Sequence, residues 1–501
     1  MKPPPPPARL SPEQTDRAAG VLLALACGDA LGAGYEFEPA RIDGEHVGMV
    51  GGGAFRWQPG EWTDDTSMAV VIAQLAASGE DLNSPQVLDE LTGGFVDWAD
   101  EAKDIGISTR HVLSAAHRER TQAAAAASAR RYFQSTDKTG NGSLMRTAPV
   151  ALAFLHDSAA RDQAARAVSA ITHGDPEAGE ACALWCHAIA HAVLFGDFDG
   201  LRLAVNELPD DRALIWNERL DKAESVAPHE IEHNGWVVAA LMAAWSAIVR
   251  TQVRPDDARV GTFAADHLSR ALEAAVRAGS DTDTVAAIAG GLLGARWGAS
   301  AVPLAWQRIV HGWPGLRGRD LIRLAMLTAN GGHPDSSGWP SATVQNYTSY
   351  GDVGSLTVHP RDDGVLLSGI GALRALPAGV DAVVSLCRLG QGEVPAVGVS
   401  PTDHVEVWLI DRSRPDRNPH LDFVLTQAAD TVAALRSEGR TVLLHCVQAH
   451  SRTPTVAALF AARHHGVPVG EALQEVELAL PGANPNRGFR EALGRLDPAK
   501  A

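Results

Sequence analysis

The hydrophobic periodicity of this chain changes character near Asn330, and that change limits what it can fold into. From about Ser11 to Asn330, apolar residues recur at helical spacing in Ala- and Leu-rich runs, broken by Gly or Pro. Few stretches there alternate with a period of two. Residues 331–352 are rich in Gly, Pro, Ser, Asn and Thr. Beyond them, short β-branched runs (Leu356–Val358, Val365–Ser368, Ala382–Leu386, Val405–Leu409, Thr441–Leu444) alternate with helical patterns at Phe423–Glu438, Pro454–His464 and Gly470–Leu478. The expectation is a multidomain chain: an all-α domain over 11–330, a linker over 331–352, and a small α/β domain with a mostly parallel sheet over 353–497. A length of 501 residues agrees, since single cores stop growing well below it. Within the first domain the pattern predicts, among others, helices at Ala18–Leu31, Ser67–Ala77, Asp256–Ala278 and Val285–Arg296. Residues 1–10, with five consecutive prolines from Pro3 to Pro7, predict a disordered polyproline II tail.

With 45% hydrophobic and 21% charged residues, the composition is that of a globular protein. No uninterrupted apolar run reaches the roughly 18 residues that span a bilayer, so no membrane association is expected. A net charge of −17 repels phosphate backbones and makes general nucleic-acid binding unlikely. The N-terminus has no apolar signal region, and five sparse cysteines read as reduced, so the expected setting is cytoplasmic. Cys182 and Cys186, near His187 and His191, sit in an Ala-Leu-Trp-His pattern that reads as a buried helix rather than a zinc site. His229-Glu230-Ile231-Glu232-His233 fits a zinc-protease pattern, but Pro228 and Asn234-Gly235 imply a turn instead of the helix that chemistry needs.

Two stretches carry concentrated oxygen donors: Trp62-Thr63-Asp64-Asp65-Thr66 and Gly279-Ser280-Asp281-Thr282-Asp283-Thr284. Carboxylates this close repel unless something positive sits among them, and brought together the two sets suit one or two Mg²⁺ ions. In the second domain, Val442-Leu443-Leu444-His445-Cys446 reads as a buried strand, and an Ala-rich helix begins after Arg452. That puts Cys446 in a strand-to-helix loop whose amides converge on an anion and would lower the thiol pKa. Arg452 would grip phosphate oxygens through its planar fork, and Thr453 would hydrogen-bond the sulfur.

These residues resemble the Cys-dependent protein tyrosine phosphatases, closest to the small dual-specificity members, over about Val353 to Leu496. The resemblance implies a thiophosphate intermediate on Cys446 and a general acid on an upstream loop. Asp411, after Val405–Ile410, takes that place, with Asp416 in reserve. The family has Gly where this chain has Ala449, a position whose Cβ would distort the cradle if φ is positive.

The first domain resembles the ADP-ribosylglycohydrolases over about residues 15–330. The matching motifs are Gly28-Asp29-Ala30-Leu31-Gly32, Thr63–Ala69, Gly140-Asn141-Gly142-Ser143-Leu144-Met145-Arg146, Ile171-Thr172-His173 and Ser280–Val285. That resemblance implies an all-α fold holding two Mg²⁺ ions and removing ADP-ribose from a modified protein or a small ADP-ribose derivative. Thr63, Asp64, Asp65, Asp281, Asp283 and Thr284 would be metal ligands, with Asp64 and Asp283 also counted as catalytic. Glu36 would be a substrate-gripping or acid/base group. Gly140, Asn141, Gly142, Ser143, Met145, Arg146 and His173 would bind substrate. A phosphorylated substrate is the expected partner of the second domain. The alternative is an ADP-ribose-binding reader joined to an inactive, phosphate-sensing module.

Overall fold

The computed structural model describes residues 9–41, 45–137, 139–351 and 354–500. The proline-rich stretch at residues 1–8 lies outside them. The chain forms two compact units: Met1–Gln252 with Leu268–Val302 and Ile309–His333, and Val253–His267 with Pro303–Arg308 and Pro334–Ala501.

The first unit is helical, apart from a hairpin of two-residue strands, β1 (His311–Gly312) and β2 (Leu316–Arg317). Its centre is a close pair of helices, Pro12–Gly32 and Thr282–Trp297. Glycines set that approach. A Cβ on Gly28 would lie 2.2 Å from the Ala286 carbonyl oxygen, and one on Gly294 would lie 2.1 Å from that of Gly20. A Cβ on Gly32 would meet the Asp283 backbone at 2.5 Å. Distances this short leave no room for a side chain, so the backbones touch and the end of the first helix sits against the acidic start of the second. Ser11 opens the first helix through a capping box with Gln14.

Several boundaries differ from expectation. The helix predicted from Ser67 begins at Asp64, because the first turn is acidic and carries no apolar period. One helix expected over Asp256–Ala278 is Asp266–Val276, preceded by a turn closed at Asp257 and Thr262. Gln122–Thr136 is helical although its run of alanines shows no face. His229–His233 holds a short 3₁₀ turn, Pro228–Glu230, as the flanking residues implied. Contrary to the reading of apolar runs, Pro176–Phe195 is long and apolar enough to cross a membrane; 72% of that apolar window is buried, so it packs as a core helix here.

The second unit carries a mixed sheet: β3 (Leu356–His359), β4 (Asp362–Ser368), β5 (Ala382–Ser385), β6 (His404–Glu406) and β7 (Val442–His445), in the order β3-β4-β7-β5-β6. β3 and β4 are antiparallel and the other pairings parallel, so the sheet is mostly parallel. The central strand β7 is wholly buried, which its unbroken Val-Leu-Leu-His run dictates. The 334–351 segment, expected as part of a free linker, is packed on this unit. Gln391 and Gly392 donate backbone N–H bonds to Ala342 and Thr343 at 2.8 Å, and the Arg388 guanidinium lies 4.4 Å over the Trp339 ring.

Candidate functional sites

In the helical unit three chain segments converge. Asp64 and Asp65 occupy the first turn of the Asp64–Ala77 helix, and Asp281 caps the Thr282–Trp297 helix with Asp283 just inside it. Free amides and the helix dipole favour negative charge at both places. The carboxylate oxygens of Asp29, Asp65 and Asp283 lie within 4.8 Å of one another, as do those of Glu36, Asp281 and Asp283. Six acidic groups share the region once Asp64 is added.

Asp29 was not among the expected site residues. It is fully buried and accepts from Thr63 N (2.9 Å), Thr66 N (2.9 Å) and Thr66 Oγ1 (2.6 Å). It thereby caps the Asp64–Ala77 helix in place of Thr63, whose own Oγ1 donates to Asp65 Oδ2 at 3.0 Å. The Gly28–Gly32 motif was its one signal. Asp104, which adds its charge to Asp64 and Glu36, gave none.

Burial, followed by mutual repulsion, pushes Asp64, Asp65 and Asp283 well above the ordinary carboxylate range. Glu36 is held up to about 8, first by burial and then by Asp281, Asp104 and Asp29. Asp29 rises to about 6 from burial, opposed by its Thr66 and Thr63 hydrogen bonds. Asp65 Oδ1 is buried without a hydrogen-bond partner. Buried, repelling, all-oxygen donors with an orphaned lone pair fit a hard divalent cation.

The Asp281 turn is held from several sides. Asn234 Oδ1 accepts from Asp281 N (3.2 Å), while Asn234 Nδ2 donates to the Gly279 carbonyl (2.9 Å). Asn141 Nδ2 donates to Asp281 Oδ2 (2.7 Å) and to the Asn234 carbonyl (3.1 Å). Phe37 N donates to Ser280 O and Ser280 N to Glu38 O, tying the Glu36 turn to this one. Phe37, His233 and Ser280 all have left-handed backbones, φ 66°, 60° and 61°, a concentration of strain held by those bonds.

The glycine loop begins beside them. Gly140 and Gly142 face the His173 imidazole, 3.8 and 3.4 Å from where their Cβ atoms would be. His173 is buried, its Nε2 has no partner, and burial holds it neutral, down to about 3. Ser143 and Met145 are buried in the same loop, and Thr284, also buried, donates its backbone N–H to Asp283 Oδ1 (2.9 Å). The fully buried Arg146 points into the core, over the Phe95 ring and onto Thr172 Oγ1 (2.7 Å), which bonds His173 Nδ1 (2.8 Å).

In the second unit, β7 delivers buried Cys446 into a pocket of about 430 Å³ that Asp411, Arg412 and Arg452 also line. Asp411 Oδ1 accepts from Ser451 Oγ (2.7 Å) and Asn486 Nδ2 (2.9 Å), and Arg452 Nε lies 3.7 Å from Asp411 Oδ2. Asp416 instead pairs with Arg414 and Arg417. Thr453 Oγ1 donates to the Ser368 carbonyl (3.4 Å). Ala449 has φ 61°, the conformation in which its Cβ is costly.

Behind Cys446 runs a polar chain whose direction the donors fix. Ala396 N–H donates to His404 Nδ1 (3.0 Å), so His404 Nε2 carries its proton to Ser385 Oγ (2.8 Å). Ser385 Oγ donates to His445 Nε2 (2.6 Å), leaving His445 Nδ1–H for the Cys446 carbonyl (3.3 Å). Burial holds His445 neutral, down to about 4, as this direction requires.

A hydrolase with a buried acidic pocket on an all-α scaffold is what the first unit defines. The ADP-ribosylglycohydrolase family profile matches residues 10–335, and the chain belongs to that family. It is 35% identical over 309 residues to the ADP-ribosylarginine hydrolase Tri1 of Pseudomonas putida, covering 59% of this chain and 75% of that one. A solved structure titled ADP-ribosylglycohydrolase-related protein complex superposes with a TM-score of 0.50 at 28% identity, over 64% of this chain and 99% of that one. A separate 91-residue match, 29% identical, is to dual specificity protein phosphatase 1 of Arabidopsis thaliana. It spans 18% of this chain and less than half, 46%, of that relative.

Proposed function

We propose that the helical unit hydrolyses the N-glycosidic bond between ADP-ribose and an arginine side chain, using two Mg²⁺ ions. The observation that carries this is the convergence of Asp29, Asp65, Asp281, Asp283 and Glu36 on one buried spot. Thr63, Asp64, Asp65, Asp281, Asp283 and Thr284 would hold the metal, while Asp29 orients the Asp64 turn. Bound there, Mg²⁺ would anchor ribose hydroxyls and polarise a water. The Asn141, Leu144 and Met145 amides already donate to main-chain carbonyls, so the amides of Gly142 and Ser143 would take the diphosphate, since nothing projects from Gly140 or Gly142. His173, neutral and with a free Nε2, would line that pocket, and Arg146 would set its ring through Thr172.

The guanidinium of an arginine is a cation, and the Asp104 carboxylate, close enough to Glu36 to act on its charge, would receive it. Glu36, kept protonated by burial and by its acidic neighbours, would give a proton to the departing nitrogen. The name of the Pseudomonas putida relative supports this bond over a serine O-glycoside. Release of ADP-ribose would be measured from ADP-ribosylated arginine and serine substrates with Mg²⁺ or EDTA. Release from serine alone, or release indifferent to EDTA, would sink the proposal.

For the second unit we infer Cys-dependent phosphate monoester hydrolysis. The Cys446 thiolate would attack phosphorus, forming S–P as P–O breaks, with Asp411 protonating the leaving oxygen. Water would then break S–P and release phosphate. Arg452 would hold the equatorial oxygens, and the His404–Ser385–His445 chain would fix the Cys446 carbonyl and with it the loop. The supporting observation is that Cys446, Arg452 and Asp411 line one pocket. Phosphate sensing without turnover is the second reading, favoured by the strained Ala449. Cys446→Ser separates the two: it abolishes turnover in an enzyme and spares phosphate binding in a sensor. The five unpaired cysteines suit the reducing cytoplasm.

A further inference from the structure

Every other described arginine between Pro334 and Lys500 has a carboxylate within 4.0 Å. Arg412 has none among the described residues. It is exposed, lies directly after Asp411, and lines the Cys446 pocket; among the described residues its guanidinium makes one hydrogen bond, from Nη1 to the Asp411 main-chain carbonyl at 3.3 Å. The Asp411 carboxylate does not neutralise it, because both its oxygens face Ser451, Asn486 and Arg452. In a chain of net charge −17, an uncompensated guanidinium at the mouth of a pocket that already holds Arg452 is out of character. Elsewhere in this stretch, arginines are consumed by surface ion pairs, which are cheap to form and worth little.

We propose that Arg412 is a second anion subsite, so that this pocket takes phosphate monoesters carrying a diphosphate group, of the nucleotide-sugar class. The proposal rests on the Cys446 phosphatase reading for its reaction, and on Arg412 alone for its selectivity. Arg452 sits at the loop that receives the scissile phosphate. Arg412, bonded to the Asp411 main chain where Arg452 meets the Asp411 carboxylate, presents a planar fork that matches two phosphate oxygens. A substrate with one phosphate would leave it unused. Polar side chains on the lining, among them Gln448, Ser413 and Asn484, suit a hydroxylated sugar between the two anions better than a peptide's apolar flanks. A phosphorylated ADP-ribose has that layout, and its ADP-ribose portion is the group that the other unit's family handles.

Two measurements test this on the full chain. In Cys446→Ser protein, calorimetry should find ribose 1,5-bisphosphate, which carries two anions across a sugar, bound about 10- to 100-fold more tightly than inorganic phosphate, the span of one or two charge-assisted hydrogen bonds. Adding Arg412→Ala should shrink that preference to within about threefold. Equal binding of the two anions, or a preference that survives Arg412→Ala, overturns the subsite. In Cys446-intact protein, kcat/KM for ADP-ribose 2′-phosphate relative to p-nitrophenyl phosphate should fall about tenfold or more in Arg412→Ala and further in Arg412→Glu. A higher kcat/KM on a doubly phosphorylated peptide than on the nucleotide overturns the substrate class. No turnover of any ester with the bisphosphate preference intact removes the phosphatase reading and leaves the subsite standing. Turnover without the preference does the reverse.

Discussion

The two sites solve opposite electrostatic problems. In the helical unit, acidic groups from residues 29, 36, 64, 65, 281 and 283 are forced together, and burial and mutual repulsion outweigh what the nearby Arg146 supplies to Asp64. In the α/β unit the Cys446 pocket is cationic, built around Arg452 and Arg412, with one carboxylate tied down by Ser451 and Asn486. The first needs a positive guest before it can rest, and the second needs a negative one. The difference teaches where each site's stability must come from: a bound cation in one, a prepared anion cradle in the other.

The sharpest break of this contrast is Asp283→Asn. It removes the one carboxylate that stands in both acidic triads, and ADP-ribose release should fall on the order of 10³-fold, since metal assistance supplies several kcal/mol. Calorimetric Mn²⁺ or Mg²⁺ titration should show binding lost in parallel. Retained metal affinity with lost turnover would assign Asp283 to the chemistry alone. Next in size is Asn234→Ala. Asn234 touches no proposed substrate, yet it grips Asp281 N and Gly279 O. Divalent-cation affinity should weaken about 10- to 100-fold, as for other residues that orient ligands, with the circular dichroism spectrum unchanged. Unaltered affinity would mean that Asn141 suffices to aim Asp281.

Much of this was legible and part was not, for one physical reason. Asp64-Asp65 and Asp281–Asp283 announce themselves because the repelling pairs are adjacent in the chain. Cys446 to Arg452 does so because a single loop makes the cradle. Asp29, Asp104 and Asn234 act through partners 34 or more residues away; a glycine-mediated contact of two helices brings Asp29 to Asp283, and the approach of a third helix start brings it to Thr63. No local spacing encodes that. The start of the Asp64 helix was misplaced for the same reason that makes it functional: its first turn spends its residues on charge instead of an apolar face. Arg146, read as part of a substrate loop, points inward, and its reach to His173 through Thr172 appears only in three dimensions.

Removing metal should make the acidic site sensitive to pH. Glu36 at about 8 and Asp29 at about 6 stand above the value near 4 that carboxyls have in an unfolded chain. The folded, metal-free protein therefore holds more protons than the unfolded one between about pH 4 and 8, and its stability falls as pH rises through that window. In EDTA, Tm should drop steadily from pH 5 to 8; saturating Mg²⁺ should flatten the slope, because the cation replaces the protons. A Tm that rises with pH in EDTA would mean that the carboxylates are already compensated.

The smallest expected effect lies in the other site. Ala449 and Ser280 share a left-handed backbone at nearly the same φ, but they are held differently. Ser280 is flanked by a glycine and fastened through its own N–H and carbonyl to Glu38 and Phe37. Ala449 sits mid-cradle, where a left-handed residue with a Cβ costs about 1–2 kcal/mol. Ala449→Gly would relieve that strain and add back some freedom to the unfolded chain, worth about 0.4–1 kcal/mol in the opposite sense. The net gain should be about 1 kcal/mol or less in denaturant unfolding of the Cys446 unit. Ser280→Gly should gain less or lose, since Ser280 already follows the left-handed Gly279 and its bonds hold the turn in either case. If Ala449→Gly is instead neutral while phosphate binding tightens, the strain is relieved by the bound anion rather than stored in the resting loop. The cationic site would then, like the acidic one, be completed by its guest.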